Sequence, residues 1–512
     1  MAEPSHSPYR SAWSARQRRW DTLQDTLFDV AIIGGGINGA CTYHHLSQAG
    51  YRTLLVERGD FACGASQASA MMIWGGLVYL KDMELANVWR LSASRDRMID
   101  ELGAWVRART IHYVPIPGGR SRAWVQLCLY LYWLMCLGRR SRPRYQTRFP
   151  EQIFLHASRL TGALSYEEAV VESSDAQFVL QWLLPHDNER QVALNYCALG
   201  DGGYQADRGV WQLELTDTLS GQEAVARTRW VVNAAGGWTD AINRRFERPS
   251  PYRHVLSKGV SIGVPRDPHH QHHLAFENGL DGNAMTLIPW GPVSLWGSTD
   301  TVSTDMTTGG TTEPVDIHFL LEQLNQHLAR TLTPEDVISL RCGIRPLVIN
   351  RRDSGAAECR SPSRGHRLYR DPALPWISVY GGKLTYCIPL AQTVCRWLQT
   401  MARPTDRCPS DPQPVPCPPQ LEAFPGLSDP VPTAAWCLDQ QRCWTLEDYL
   451  RRRTNIAQWV PRGGLGRNGE HAAHLLSVAR VLCGGDENRA QQAFKNYQQT
   501  IQDCFDQVLA AC

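Results

Sequence analysis

Asp29-Val30-Ala31-Ile32-Ile33-Gly34-Gly35-Gly36-Ile37-Asn38-Gly39 decides the fold of this chain, together with Glu57 eighteen residues further on. An apolar strand runs into a glycine turn, a helix follows, and a second strand, Thr53-Leu54-Leu55-Val56, ends at an acid. This is the βαβ fingerprint of a cofactor containing ADP. Gly34 allows the sharp exit from the strand, Gly36 removes a side chain where a pyrophosphate must approach, and Gly39 lets the helix lie close to the sheet. The pyrophosphate is then met by free backbone N–H groups at the helix N-terminus. Glu57 is placed to accept the ribose hydroxyls, and its charge disfavours a 2′-phosphate, so NADP is the poorest candidate.

Outward from this unit, the chain reads as a large enzyme. Its 512 residues are enough for two or three domains. A net charge of +2 argues against nucleic acid as a partner. The 16 cysteines are scattered without a repeated CxxC and no signal segment precedes the first strand, which suits reduced thiols in the cytoplasm. No stretch reaches the ~20 apolar residues of a membrane span. Residues Ala123 to Leu137, followed by Arg139, Arg140, Arg142 and Arg144, suit either a buried helix or one lying on an anionic membrane face. The expected location is therefore cytoplasmic, with peripheral membrane contact and oligomeric state both left open.

Helical periodicity runs from about Met83 to Leu102. Trp230-Val231-Val232-Asn233-Ala234-Ala235-Gly236-Gly237 reads as a later cofactor-domain strand that ends beside the ligand. Short strand-like runs at 259–264, 284–289 and 293–297 predict an antiparallel sheet, and Trp376-Ile377-Ser378-Val379-Tyr380 leads into Gly381-Gly382-Lys383-Leu384-Thr385 as a last strand returning to a helix. The expected fold is α/β: a Rossmann-like FAD-binding domain, an antiparallel β-sheet cap over the substrate and a helical C-terminal domain. Residues 1–24 are expected as a flexible arm, 25–110, 166–250 and 351–402 as the FAD-binding domain, and 111–165 and 251–350 as the cap. A Pro-rich linker at 403–424 then precedes the helical residues 425–512.

An ordered set of further segments carries a family resemblance. These are Phe61-Ala62-Cys63-Gly64-Ala65-Ser66, Gly75-Gly76-Leu77-Val78-Tyr79-Leu80, Asn233-Ala234-Ala235-Gly236, Ser257-Lys258-Gly259, Gly297-Ser298-Thr299-Asp300, Gly343-Ile344-Arg345-Pro346-Leu347, Gly381 to Thr385, and Arg452-Arg453-Thr454. With the glycine turn and Glu57, they resemble the FAD-dependent glycerol-3-phosphate dehydrogenases, within the D-amino-acid-oxidase-like flavoproteins. The resemblance implies non-covalent FAD and a hydroxylated small-molecule substrate whose carbinol carbon gives a hydride to flavin N5, with a quinone or O2 as electron acceptor. It implies cofactor contacts from Gly34, Gly36, Ile37, Asn38, Gly39, Glu57, Arg58, Ala65, Ser66, Gly75, Gly76, Leu77, Ala235, Gly236, Gly381, Gly382, Lys383, Leu384 and Thr385. It also implies that Tyr79, Arg345 and Lys383 serve the chemistry, with Trp74, Val78, Ser261, Arg367 and Ile388 at the substrate.

Departures from the family pattern are concentrated at the substrate positions. Val78 stands where relatives have an arginine, Ser261 where they have a histidine, and Ile388 where they have another arginine; Trp74 replaces a further histidine and Val260 a serine. Losing one guanidinium fork forfeits a substantial part of ~1.5–3 kcal/mol of anion binding unless a neighbour replaces it. The concerted shift toward apolar side chains leads us to expect a donor other than glycerol 3-phosphate. A true glycerol-3-phosphate dehydrogenase with a rebuilt phosphate site, an amine or imino-acid oxidase, and a non-enzymatic flavin-binding protein are the alternatives. With Ser261 at the histidine position, Lys383, Tyr79 or a water on Arg345 are left as candidate bases. His254, His269, His270, His272 and His273 form a cluster that suggests metal binding, but beside Asp267, Pro268 and Gln271 they read as incidental polarity around an exposed loop, with His254 alone left as able to reach the pocket, and no metal is expected.

Overall fold

The computed structural model describes residues 8–80, 83–186, 188, 190–277, 284–306, 310–352, 365–406, 409–413, 415, 417–418 and 420–512. The strand Leu27–Ile33 sits at the centre of the first sheet, parallel to Glu223–Asn233 on one side and to Thr53–Val56 on the other. Gln191–Leu194 extends the parallel set beyond Thr53–Val56, and Trp376–Gly381 extends it beyond Glu223–Asn233. Val30 and Ile32 face one core while Ala31 and Ile33 face another, all buried, as the two-residue period of a strand covered on both faces requires. The helix Ile37–Gln48 packs on the first face beside Asp175–Leu183 and Cys387–Met401. An antiparallel meander, Cys197–Gln205, Val210–Asp217 and Glu223–Asn233, helps cover the second.

From residue 8 on, the N-terminal segment differs from the flexible arm expected for 1–24, of which residues 1–7 lie outside the described residues. Pro8–Asp25 is a helix that buries Ala12, Arg16, Trp20 and Leu23. Spacings of four, four and three residues give it one continuous inward face. Arg16 Nε donates to Asp217 Oδ2 at 2.8 Å, so the buried guanidinium has its counter-charge.

The second sheet forms the cap. Tyr252–Pro265 pairs along its length with Ser339–Asn350 and also with Val293–Gly297, both antiparallel. Beyond these follow Ala284–Trp290, His273–Glu277, Val106–Val114 and Ala163–Val171, the pairing of His273–Glu277 with Val106–Val114 being parallel. Val106–Val114 and Ala163–Val171 straddle the boundaries read from sequence at 110/111 and 165/166. The C-terminal region is helical and has its own core around Leu450, Ile456 and Leu475. It is tied to the first domain through Asp60, whose carboxylate accepts from Arg452 Nε at 2.6 Å and from Arg453 Nη1 at 2.7 Å. Burial alone would raise this carboxyl, but the Arg453 and Arg452 guanidiniums hold it down at about 2. No described helix is long and apolar enough to cross a membrane.

Candidate functional site

A cavity of about 1240 Å³ lies between the end of the Leu27–Ile33 strand and the cap sheet. At its floor Gly34 takes φ +106°, and a Cβ there would stand 2.6 Å from Ala234 O. Gly39 is equally constrained from behind, since its Cβ would meet Gly34 O at 1.9 Å. Gly36 is different. Its Cβ would meet only Ser66 Oγ, at 3.1 Å, so the missing side chain leaves room on the cavity side. Ile37 N–H, next in the helix start, donates to Ser66 Oγ at 3.0 Å.

Glu57 lines the same end, with Oε2 accepting from Gly35 N–H at 2.7 Å and Oε1 from Gly59 N–H at 3.0 Å. Burial pushes its carboxyl up from the ordinary value, while those two donors oppose the shift. Arg58 and Trp238 line the wall nearby, the guanidinium 4.2 Å from the ring centroid. Asn38 donates from Nδ2 to Gly381 O at 2.9 Å, yet its Oδ1 is buried without a donor among the described residues. An acceptor left this way asks for a ligand hydroxyl or N–H. The open cradle at Gly36, the carboxylate at the second strand end, the unpaired Asn38 Oδ1 and the size of the cavity together fit a flavin adenine dinucleotide.

The turn at Gly381–Gly382 closes the cofactor end from the opposite side. Gly382 has φ +108°, and a Cβ there would stand 2.7 Å from Asn38 Nδ2. Gly381 is held at both ends of its backbone: its carbonyl accepts from Asn38, and its N–H donates to His254 Nε2 at 3.0 Å. His254 Nδ1 lies 3.2 Å from Asp240 Oδ2, which also accepts from the His254 N–H. The Asp240 carboxyl is held low; burial works against this, and the bonds from His254 produce it. His254 therefore braces the turn from behind. Asp240 gave no warning of this in the sequence, because fourteen residues and a change of domain separate it from His254.

On the cap sheet, Arg345 and Ser257 face each other across an antiparallel pair. Arg345 Nη1 donates to Ser257 Oγ at 3.3 Å and to Thr299 O at 3.1 Å, Nη2 donates to Ser298 Oγ at 2.5 Å, and Asp300 Oδ1 lies 3.6 Å away. The guanidinium occupies the space over Gly259, where a Cβ would come within 2.1 Å of Nη2. Lys383 Nζ donates to Tyr79 Oη at 2.6 Å in the same cavity. Gly259, Ser298 and Thr299 were legible only as matching family segments; their role in seating Arg345 depends on the sheet register.

Of the residues expected at the cofactor, Gly39, Gly75 and Thr385 stand behind the wall, and the others line the cavity. Gly75 N–H donates to Glu168 Oε2 at 3.0 Å, and Thr385 is buried with its hydroxyl donating to Trp74 O at 3.3 Å. Tyr79, Arg345, Lys383, Trp74, Val78 and Ser261, expected at the substrate, line the same cavity. Arg367 does not line the cavity: it is exposed on His366–Arg370 and donates to His366 O at 3.1 Å. Ile388 is buried in the first-domain core and Val260 in the cap core. The histidine loop also differs from an exposed one. His270 and His273 are buried, and desolvation lowers them to about 4 and about 3, whereas His269 is exposed.

The apolar segment near 123–137 is amphipathic. The helix Arg122–Met135 buries Val125, Leu129 and Tyr132 and exposes Trp124, Leu127, Leu131 and Leu134. Its first turns border the cavity through Trp124, Val125, Cys128 and Leu129.

The profile of the FAD dependent oxidoreductase family matches residues 29–369. The aerobic glycerol-3-phosphate dehydrogenase of Escherichia coli K12 is 30% identical over 374 residues, covering 71% of this chain and 72% of that protein. The mitochondrial glycerol-3-phosphate dehydrogenase of Homo sapiens is 29% identical over 407 residues, covering 72% of this chain and 53% of its own. Among solved structures, the Bacillus halodurans glycerol-3-phosphate dehydrogenase complexed with FAD superposes with a TM-score of 0.70 at 18% identity, covering 98% and 97% of the two chains. These relatives overturn the expectation of a donor other than glycerol 3-phosphate. Its physical weakness is visible in the fold: Val260 and Ile388 face cores, so their apolar character says nothing about substrate. The chain belongs to the FAD dependent oxidoreductase family, is related to its glycerol-3-phosphate dehydrogenases, and takes FAD as its cofactor.

Proposed function

We propose that this protein oxidises glycerol 3-phosphate at its secondary carbinol, through an anion site rebuilt around Arg345. The observation that carries the reading is the guanidinium held by Ser257, Ser298 and Thr299 on the cavity wall shared with Lys383 and Tyr79. FAD supplies the two-electron acceptor for the carbinol hydride. Nη1 and Nη2 of Arg345 share Thr299 O, and the phosphate draws those N–H groups to itself, its charge outcompeting the neutral carbonyl and the partial pairing with Asp300. Lys383, acting as the free amine whose N–H is held by Tyr79 Oη, takes the carbinol proton on its lone pair and becomes the ammonium, since no histidine lines the cavity among the described residues. Anaerobic mixing with glycerol 3-phosphate should bleach the flavin band near ~450 nm, whereas glycerol should not at equal concentration. Bleaching by an amino acid but not by glycerol 3-phosphate would refute the assignment.

The exposed face of Arg122–Met135 supports a quinone as acceptor. Trp124, Leu127, Leu131 and Leu134 offer apolar contact beside the cavity mouth, with Arg139, Arg142 and Arg144 following for anionic headgroups. On this reading the protein works against the cytoplasmic face of a membrane, through that helix. Flotation with anionic vesicles should be lost in a Trp124→Ser, Leu131→Ser variant. Wild-type protein that stays with the soluble fraction would point to O2 instead.

A further inference from the structure

Three side chains from separate segments of the cap, none of them lining the Gly34 cavity, converge on one point. His112 comes from Val106–Val114, Glu151 from the turn Pro150–Ile153, and His272 from the residue before His273–Glu277. His112 Nδ1 lies 3.1 Å from Glu151 Oε2, and His272 Nδ1 lies 2.9 Å from Oε1. The candidate donor atoms all stand within 4.8 Å of one another, and the two rings are 4.6 Å apart.

Charge makes this more than a hydrogen-bonded triad. Glu151 is 0% exposed, and a carboxylate taken fully out of water requires a paired cation. Among the described residues, the basic side chains within ion-pair distance are these two imidazoles, with no lysine or arginine. An imidazole that is neutral offers a lone pair and no charge. The backbone N–H groups of Gln271 and His272, donating to Oε1 at 3.1 and 2.8 Å, orient the carboxylate without neutralising it.

We propose that His112, Glu151 and His272 form a binding site for a divalent transition metal, with zinc the best match to two imidazoles and a carboxylate. Ligand atoms around a tetrahedral zinc sit about 3.3 Å apart; His112 Nδ1 is already 3.1 Å from Glu151 Oε2, and with all candidate donors within 4.8 Å of one another, rotation of the His272 ring completes the set. Each ring carries its proton on Nε2 when Nδ1 faces the ion. Glu151 keeps its backbone donors and binds through Oε2. His272 is one-third exposed and borders a second cavity of about 510 Å³, which gives the ion a path in and leaves a coordination position for water. The metal pins the loop before His273–Glu277 to the strand Val106–Val114, and its role is to stiffen the cap.

The test uses full-length, FAD-loaded protein stripped with a chelator and titrated with Zn2+, with Mg2+ as comparison. One equivalent of Zn2+ should bind and raise the unfolding temperature, and Co2+ should give the intense visible bands of a tetrahedral site. His272→Ala, at a partly exposed position, should keep the fold and lose roughly 100-fold or more in Zn2+ affinity. Glu151→Gln should abolish the Co2+ bands. Absence of stoichiometric Zn2+ binding, or binding unaltered in His272→Ala, would overturn the proposal.

Discussion

Replacing Gly259 by alanine should cripple substrate binding without touching the substrate. The backbone at this position accepts any residue, so the strand itself is not strained by the change. The new methyl would lie 2.1 Å from Arg345 Nη2 and 2.4 Å from Cζ. To reach ordinary contact the guanidinium must retreat by about 1.3 Å, and a displacement of about 1 Å at a positioned group costs on the order of 100-fold. It would also break the bond to Ser298 Oγ, 2.5 Å in the native site. A hydrogen bond to a charged group contributes about 1.5–3 kcal/mol, which is roughly 10- to 150-fold and agrees with the positional figure. Anaerobic stopped-flow reduction by glycerol 3-phosphate, with flavin content and melting temperature measured in parallel, reads the effect. The expected outcome is normal flavin loading and stability with a rise in KM of this size. In an Arg345→Ala background the second substitution should cost almost nothing, because both act through one group. A stable, flavin-loaded Gly259→Ala enzyme with native KM would refute the placement of Arg345 at the anion.

Two other outcomes follow from the braces around the site. His254→Phe removes the acceptor for Gly381 N–H, and a buried donor left unpaired costs about 1–3 kcal/mol; FAD dissociation followed by fluorescence should show 5- to 150-fold weaker binding, with recovery in His254→Gln, and native affinity in the Phe variant would refute the brace. Asp60→Asn leaves the buried Arg453 without its counter-charge and should destabilise the protein by about 3–5 kcal/mol, an effect that an unchanged unfolding midpoint would disprove. Because the folded Asp60 carboxyl is held at about 2, below the ~3.9 of an unfolded aspartate, its stabilisation is present above pH ~4 and is lost as the pH falls toward 2. Wild-type melting temperature should therefore drop more steeply over that interval than that of Asp60→Asn.

By itself the sequence determined the first domain: the apolar strand, the glycine turn and the acid at the next strand end are local, and short-range sterics decide such a unit before any distant residue is placed. The strands at 284–290, 293–297 and 376–381 were legible for the same reason, since alternation and flanking turns are carried within each segment. Substrate-side chemistry was not. Whether Val260 or Ser261 faces the cavity is a matter of one residue in a two-residue period, and the register against Ser339–Asn350 and Val293–Gly297 decides it. Ile388 turned inward because Cys387–Met401 packs that face on the first-domain core. The N-terminal helix escaped notice because its inward face includes Arg16, whose burial is made tolerable by an aspartate two hundred and one residues away. His112, Glu151 and His272 were equally hidden: one stands in a strand, one in a turn and one in a loop. Only the tertiary fold supplied their proximity, because burying a charge is decided by what surrounds it in space and not by its neighbours along the chain.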